Sequence, residues 1–148
     1  MPAGEERSLI RRISTVLAVT AALISTAVAP AQAAHQVRPL AQAHAHNDYE
    51  HERPLLDALD HGFTSVEADI YLVGGELLVA HDPEDLQPGR TLEALYLDPL
   101  AERIRANRGR VHRNSPLPFQ LLIDIKNTGA ATYTALDAAL REHRTILT

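Results

Sequence analysis

Strand-like and helix-like segments alternate along this chain from residue 40 onward, and their order restricts the fold more than any other feature. The clearest strand runs from Thr64 to Val73, and a Gly-Gly turn separates it from a shorter strand over Glu76 to Ala80. Strands that alternate with helices are typical of α/β proteins with a mostly parallel sheet. Functional side chains in such sheets lie at the carboxyl ends of the strands. We therefore expect an α/β domain with a site at one edge of a parallel sheet.

The other predicted elements continue this alternation. Pro54 suits the first turn of a helix with Leu55, Leu56 and Leu59 on one face, and Asp98 followed by Pro99 is typical of a helix start. A closed eight-stranded α/β barrel, or TIM barrel, needs about 250 residues. Only about four strands can be counted in this sequence, so we expect about the N-terminal half of such a barrel. The remaining predicted elements are strands over 40–44 and 119–126 and helices over 54–61, 98–109 and 130–143.

The first third of the chain has the order of an export signal. Three arginines precede an uncharged, largely apolar run over residues 13–29, and Pro30 leads into Ala31-Gln32-Ala33. This pattern predicts a cleaved signal peptide over residues 1–33 and a secreted mature domain over 34–148. A membrane anchor is the alternative, but the apolar run is short for a bilayer span. We therefore expect no stable membrane insertion.

Charge and cysteine content narrow the function classes. Removing the predicted signal takes away three of the 14 basic and two of the 19 acidic residues, which leaves a net charge of −6. This balance argues against nucleic acid or an anionic membrane as a partner and is compatible with a bound divalent cation. The sequence contains no cysteine, so disulfides and thiol chemistry are excluded.

Carboxylates on two predicted strands suggest a metal site. Glu67 and Asp69 are two residues apart, so their side chains share one face of the clearest strand. Two such carboxylates repel each other unless a cation or proton lies between them, and Mg²⁺ or Ca²⁺ fits that arrangement. Asp124 on the last strand would complete an oxygen cage, and Lys126 beside it would bind a phosphate oxygen. A solvated strand face and a structural Asp–Lys pair are the simpler alternatives.

Histidines follow two of the predicted strands. His44 and His46 come after the first strand, and His81 comes after the third. Imidazoles on opposite sides of a bound phosphodiester can act as general base and general acid near neutral pH. Asn47 and Arg90 are further candidate phosphate contacts, although Asn47 also suits a turn. The sequence contains no G-x-S-x-G, P-loop, G-x-G-x-x-G or H-E-x-x-H motif that would favour another chemistry.

Taken together, the order His, Glu-x-Asp, His-Asp and Asp-x-Lys resembles the superfamily of glycerophosphodiester phosphodiesterases, phosphatidylinositol-specific phospholipases C and sphingomyelinase D. Residues 43–49, 65–69 and 90–100 look most like the branch that includes the fungal altered-inheritance-of-mitochondria proteins and secreted bacterial relatives. The resemblance implies a TIM barrel in which three carboxylates hold the metal, a lysine lies near the phosphate and two histidines transfer protons. By this resemblance Glu67, Asp69 and Asp124 would hold the metal, and Lys126 would lie near the phosphate. His81 would be one of the two histidines, and either His44 or His46 would be the other.

We therefore expect a secreted, metal-dependent hydrolase that acts on a small-molecule or lipid-derived phosphodiester. The His-Arg-Gly and Glu-Asn-Thr signatures of true glycerophosphodiesterases are absent from the sequence, so the substrate is left open. One alternative is a barrel that binds a metal or phosphate ligand without turnover. Another is an inactive, truncated fragment, because half a parallel barrel leaves unpaired sheet edges and an uncovered interior.

Overall fold

Residues 37–148 are described by a computed structural model, and they form a four-stranded sheet with three α-helices. The predicted signal segment lies outside the described residues. The strands are β1 (Leu40–Ala45), β2 (Phe63–Val73), β3 (Glu76–Val79) and β4 (Gln120–Ile125). The helices are α1 (Leu56–Asp60), α2 (Asp98–Ala106) and α3 (Gly129–Glu142).

The long strand β2 is the centre of the sheet. Strands β1 and β4 run parallel to it on opposite edges, which confirms a mixed α/β fold with parallel strands. Ile70 of β2 pairs with Val79 of β3 on one side and with Ile125 of β4 on the other. Strands β1 and β3 therefore lie on the same side of β2, and each pairs with a different part of it.

Strand β3 is antiparallel to β2, so the sheet departs from the expected parallel arrangement at this one of the described strands. Gly74 and Gly75 join the two strands with φ angles of +60° and +96°. Two successive residues with positive φ form the kind of turn that closes a tight hairpin, and glycine adopts it without a steric penalty. Over the described residues the sheet is open, and the TIM barrel stays a prediction.

One face of the sheet packs in the hydrophobic core. Val66, Ala68 and Ile70 alternate along β2 and are completely buried. Complete burial of a side chain the size of valine or isoleucine stabilises the fold by about 1.5–3 kcal/mol. The intervening residues of β2 point to the opposite face, which is therefore free to carry polar groups. Each helix contributes a leucine to the core: Leu59, Leu100 and Leu136.

Helix α1 begins at Leu56 rather than in the turn that contains Pro54. Leu55 precedes the helix with φ at +62°, and its backbone N–H donates to the carboxylate of Asp48. This contact fixes the chain before the helix and turns Leu56 outward, where it is 39% exposed. The prediction that Leu56 shares the buried face of the helix is therefore wrong.

The helical path around α2 also begins earlier than the sequence predicts. A π-helical segment, Glu93–Leu97, runs directly into α2, and the Thr91 hydroxyl accepts a hydrogen bond from the backbone N–H of Ala94. Asp98 is therefore not the helix cap, and its carboxylate contacts His143, the residue that follows α3, instead. Pro99 lacks an N–H, so it interrupts the regular hydrogen-bond ladder close to the point where the π-helical segment ends and α2 begins.

Candidate active site

The polar face of β2 brings together residues from three strands. His44 of β1 is paired with Ser65, and Asp124 of β4 is paired with Asp69. Residues that pair directly across two strands point to the same face of a sheet. The predicted residues of β1, β2 and β4 therefore lie on one surface, opposite the hydrophobic core.

Asp69 is the centre of this surface. Its side chain is 1% exposed, and its Oδ2 accepts hydrogen bonds from the Tyr49 hydroxyl at 2.7 Å and from Lys126 Nζ at 2.9 Å. The same oxygen lies 3.2 Å from Nδ1 of His81. Asp69 Oδ1 is buried and has no hydrogen-bond partner within the described part of the chain. A buried carboxylate is costly unless it is paired, and these three donors compensate one of its two oxygens.

Lys126 connects strands β2 and β4 through their carboxylates. Its ammonium lies 2.8 Å from Asp124 and 2.9 Å from Asp69. Hydrogen bonds to Asp124 and Asp69 raise the pKa of Lys126 well above its usual value, so the side chain is a permanent cation at neutral pH. Its backbone N–H donates to the carbonyl of Ile70, which holds the end of β4 against the sheet.

Glu67 contacts the loop that follows β1. Its Oε2 accepts a hydrogen bond from the backbone N–H of Asn47 at 3.2 Å and lies 3.2 Å from Nε2 of His46. His44 makes a different contact, from its Nδ1 to the Ser65 hydroxyl at 2.8 Å. Both candidate histidines thus lie beside β2, and His46, whose side chain is 72% exposed, is the one that touches a predicted metal ligand.

Asn47 and Arg90 have local partners of their own. The side chain of Asn47 donates to Glu50, and its backbone has a φ of +50°, so this residue shapes the turn after β1. The guanidinium of Arg90 donates to the backbone carbonyl of Tyr49 at 2.6 Å. Both side chains hold the loop in place, and their predicted contacts with a phosphate stay predictions.

His81 presents one ring nitrogen to the protein. Its Nδ1 contacts Asp69 and the Tyr49 hydroxyl, which leaves Nε2 as the nitrogen available to a ligand. The Tyr71 hydroxyl donates to the backbone carbonyl of His81 at 2.9 Å and fixes the chain at this point. The His81 side chain is 46% exposed, so it is accessible while its partner Asp69 is not.

Tyr49 and Asp48 were missed as site residues by the sequence reasoning. Burial, together with the hydrogen bond to Asp69, raises the pKa of the Tyr49 hydroxyl, which therefore stays protonated and donates. Asp48 is buried and accepts hydrogen bonds from the Tyr96 hydroxyl and from Leu55, and desolvation raises its pKa. Their place in the His-Asn-Asp-Tyr run was the one available signal, because these partners are distant in sequence.

The predicted divalent cation fits the chemistry of the donor side chains but not their present placement. Among residues 37–148, no three Asp, Glu or His side chains are grouped closely enough to hold a metal ion. Glu67 contacts His46, and Lys126 bridges the carboxylates of Asp69 and Asp124. Three carboxylates lie on one face, and Asp69 Oδ1 is buried without a hydrogen-bond partner among residues 37–148, so these oxygens are of the chemical type that a hard cation prefers. Such an ion would compete with Lys126 for these oxygens.

Comparison with known proteins identifies the family. The model of the AIM6-like phosphodiesterase domain matches residues 31–146. The chain belongs to this family. No solved structure is significantly similar to it.

Curated relatives of this AIM6-like domain include fungal proteins that are considerably longer. Altered inheritance of mitochondria protein 6 of Eremothecium gossypii is 40% identical over 79 residues, which cover 52% of this chain and 20% of the relative. Its homolog in Arthroderma benhamiae is 30% identical over 119 residues, which cover 68% of this chain and 38% of the relative. The chain thus spans between about a fifth and two fifths of the length of these relatives. Along residues 37–148, no helix is both long and apolar enough to cross a membrane.

Proposed function

We propose that this chain carries the histidines and carboxylates of a secreted phosphodiester hydrolase of the phospholipase C-like barrel class. Its substrate would be a small-molecule or lipid-derived phosphodiester, and its cofactor Mg²⁺ or Ca²⁺. Membership of the AIM6-like phosphodiesterase family supports this reaction class. Secretion rests on the signal-like pattern in residues 1–33, and a place among secreted bacterial relatives rests on the resemblance of residues 43–49, 65–69 and 90–100.

The observation that carries the proposal is the set of contacts at Asp69. One buried carboxylate binds a lysine, an accessible histidine and a tyrosine, on a face that also holds Glu67 and Asp124. Structural ion pairs seldom need an accessible imidazole, whereas proton transfer to a bound ligand does. The arrangement is therefore better suited to chemistry than to stability alone.

In the proposed reaction, water or a neighbouring substrate hydroxyl attacks phosphorus, and the bond from phosphorus to the leaving alcohol breaks. One histidine accepts the proton of the nucleophile, and the other gives a proton to the leaving oxygen. His81, with Nε2 available, takes one of these roles, and His44 or His46 takes the other. Lys126 stays charged and can neutralise a phosphate oxygen. A bound Mg²⁺ or Ca²⁺, held by Glu67, Asp69 and Asp124, would neutralise the phosphoryl oxygens.

Hydrolysis of bis(p-nitrophenyl) phosphate tests the proposal, with p-nitrophenyl phosphate as the monoester control. The wild-type chain is compared with His81→Ala and with His61→Ala, which removes an exposed histidine outside the site. We expect diester hydrolysis that needs Mg²⁺ or Ca²⁺, is lost in His81→Ala and persists in His61→Ala. Equal rates in all three proteins would contradict the site. Binding of metal or phosphate without hydrolysis would instead indicate a ligand-binding protein.

A further inference from the structure

We propose that Tyr49 is a positioning residue for His81. Together with Asp69, Tyr49 determines which nitrogen of the His81 ring carries the proton. The importance of this role for turnover rests on the proposed function. The arrangement of the three side chains is a property of the fold and can be tested without a substrate.

The three side chains form a closed set of contacts. Tyr49 is 3% exposed, and its hydroxyl donates to Asp69 Oδ2 at 2.7 Å. The same hydroxyl oxygen lies 3.2 Å from His81 Nδ1, and His81 Nδ1 lies 3.2 Å from Asp69 Oδ2. The histidine nitrogen therefore faces two oxygen atoms at equal distances.

These contacts determine the proton positions. The Tyr49 hydrogen is directed to Asp69, because this is the shortest contact and the carboxylate can only accept. His81 Nδ1 then faces a carboxylate oxygen and the lone pairs of the phenol oxygen. An unprotonated Nδ1 would place its own lone pair against the lone pairs of these two oxygen atoms, which is repulsive. We therefore infer that Nδ1 carries the proton. The other nitrogen, Nε2, is left as the acceptor when the ring is neutral.

The position of Tyr49 is itself held from both sides. Arg90 donates to the Tyr49 backbone carbonyl at 2.6 Å, and the preceding residue, Asp48, is buried and bonded to Tyr96. Because the backbone of Tyr49 is fixed in this way, its hydroxyl is presented to Asp69 in a defined place. A second donor on Asp69 Oδ2 also restrains the carboxylate that orients the His81 ring. Hydrogen-bond partners that orient metal-binding histidines typically contribute about 10- to 100-fold to affinity or activity, and we expect an effect at the lower end of this range for His81.

Tyr71 provides a matched control within the same chain. Its hydroxyl also contacts His81, but it donates to the backbone carbonyl at 2.9 Å rather than approaching the ring. Tyr71 is 8% exposed and is therefore buried much like Tyr49. Tyr49→Phe and Tyr71→Phe each remove one buried hydroxyl beside His81, and only Tyr49→Phe removes a contact to the ring.

The test is ¹⁵N NMR of the histidine rings in the full chain, with His81→Gln used to assign the His81 signals. When the His81 ring of the wild type is neutral, we expect its proton on Nδ1 and none on Nε2. Tyr49→Phe should shift the ring toward a mixture of the two tautomers, and Tyr71→Phe should leave it unchanged. A wild-type ring protonated mainly at Nε2, or equal effects of the two variants, would overturn the inference.

Kinetics separate this inference from the proposed function. In an active wild type, Tyr49→Phe should lower kcat about 10-fold with little change in KM, and this loss should be larger than the loss caused by Tyr71→Phe. An active enzyme whose His81 signals do not respond to Tyr49→Phe would overturn the positioning role alone. The expected ring signals in a wild type that hydrolyses no phosphodiester would overturn the function alone.

Discussion

The ammonium of Lys126 lies 2.9 Å from the carboxylate of Asp69, so the end of strand β4 supplies a countercharge to a carboxylate buried on β2. The Asp69 side chain is 1% exposed and the Lys126 side chain 26%. This ion pair crosses the sheet between two parallel strands, and Asp124 lies on its outer side. We therefore expect the stability of the fold to depend on the proposed cation binding at this point of the molecule.

Lys126→Met should destabilise the fold when no divalent ion is present. The buried Asp69 would keep its contacts with Tyr49 and His81 but lose its only full countercharge among the described residues that contact it. Loss of one partner of a buried polar group costs about 1–3 kcal/mol of the free energy of unfolding. Urea unfolding measures this loss, and Mg²⁺ or Ca²⁺ should restore part of it. Arg141→Met, which breaks an exposed pair on α3, is the control and should have no measurable effect.

Substitutions at the carboxylates should separate metal binding from turnover. Glu67→Gln and Asp69→Asn should each abolish binding of Mg²⁺ or Ca²⁺, because each removes a charged oxygen ligand. His81→Ala should bind the ion normally and lose turnover. Isothermal titration calorimetry measures binding, with Glu142→Gln as a control on a carboxylate outside the site. Wild-type metal affinity in Glu67→Gln would contradict the assignment of the ligands.

Asp48 and Tyr96 should be energetically coupled. The Tyr96 hydroxyl donates to Asp48 at 3.0 Å, and both side chains are completely buried. Asp48→Ala should lower the free energy of unfolding by about 1–3 kcal/mol, because it leaves buried donors without a partner. A double-mutant cycle of Asp48→Ala and Tyr96→Phe should give a coupling of about 1 kcal/mol. Strictly additive effects would show that this contact is absent in solution.

The contact between helices α2 and α3 should depend on pH. His143 bonds the backbone carbonyl of Ala139 and the carboxylate of Asp98, and these bonds raise the pKa of His143 above its ordinary value of 6.5. A pKa that is higher in the folded state adds stability below about pH 6.5, and this gain is lost as the pH rises through the folded-state pKa.

The stabilities of wild type and His143→Gln, measured by urea unfolding, should therefore differ more at pH 5.5 than at pH 8.5. The pH-dependent part should be at most about 1 kcal/mol, because Asp98 is largely exposed. A difference that is the same at both pH values would show that the charge on His143 contributes nothing.

Local patterns were sufficient for the positions of the strands. Each predicted strand overlaps an observed one, and the alternation along β2 correctly separates Val66, Ala68 and Ile70 from the polar face. The direction of β3 was not recognised, although two successive glycines with positive φ are a hairpin signal. The spacing rule for β2 and the register with β4 also place Glu67, Asp69 and Asp124 on one surface.

Contacts between residues far apart in sequence could not be predicted from local sequence patterns. The local signal of Asp98 and Pro99 predicts a helix start, but the helix already begins near Thr91, and Asp98 contacts His143 instead. Tyr49 was passed over for the same reason, because its hydroxyl contacts Asp69, which lies 20 residues further along the chain. Such pairs form only when the sheet has assembled, so no window of sequence contains them.

The most direct test of the central claim is ³¹P NMR of a soluble glycerophosphodiester and a lysophospholipid incubated with the wild-type chain or His81→Ala in Mg²⁺ or Ca²⁺. The account predicts that the wild type converts at least one diester signal to a phosphomonoester or cyclic phosphodiester, and that His81→Ala does not. Conversion at the same rate by His81→Ala, or unchanged signals with the wild type, would contradict it.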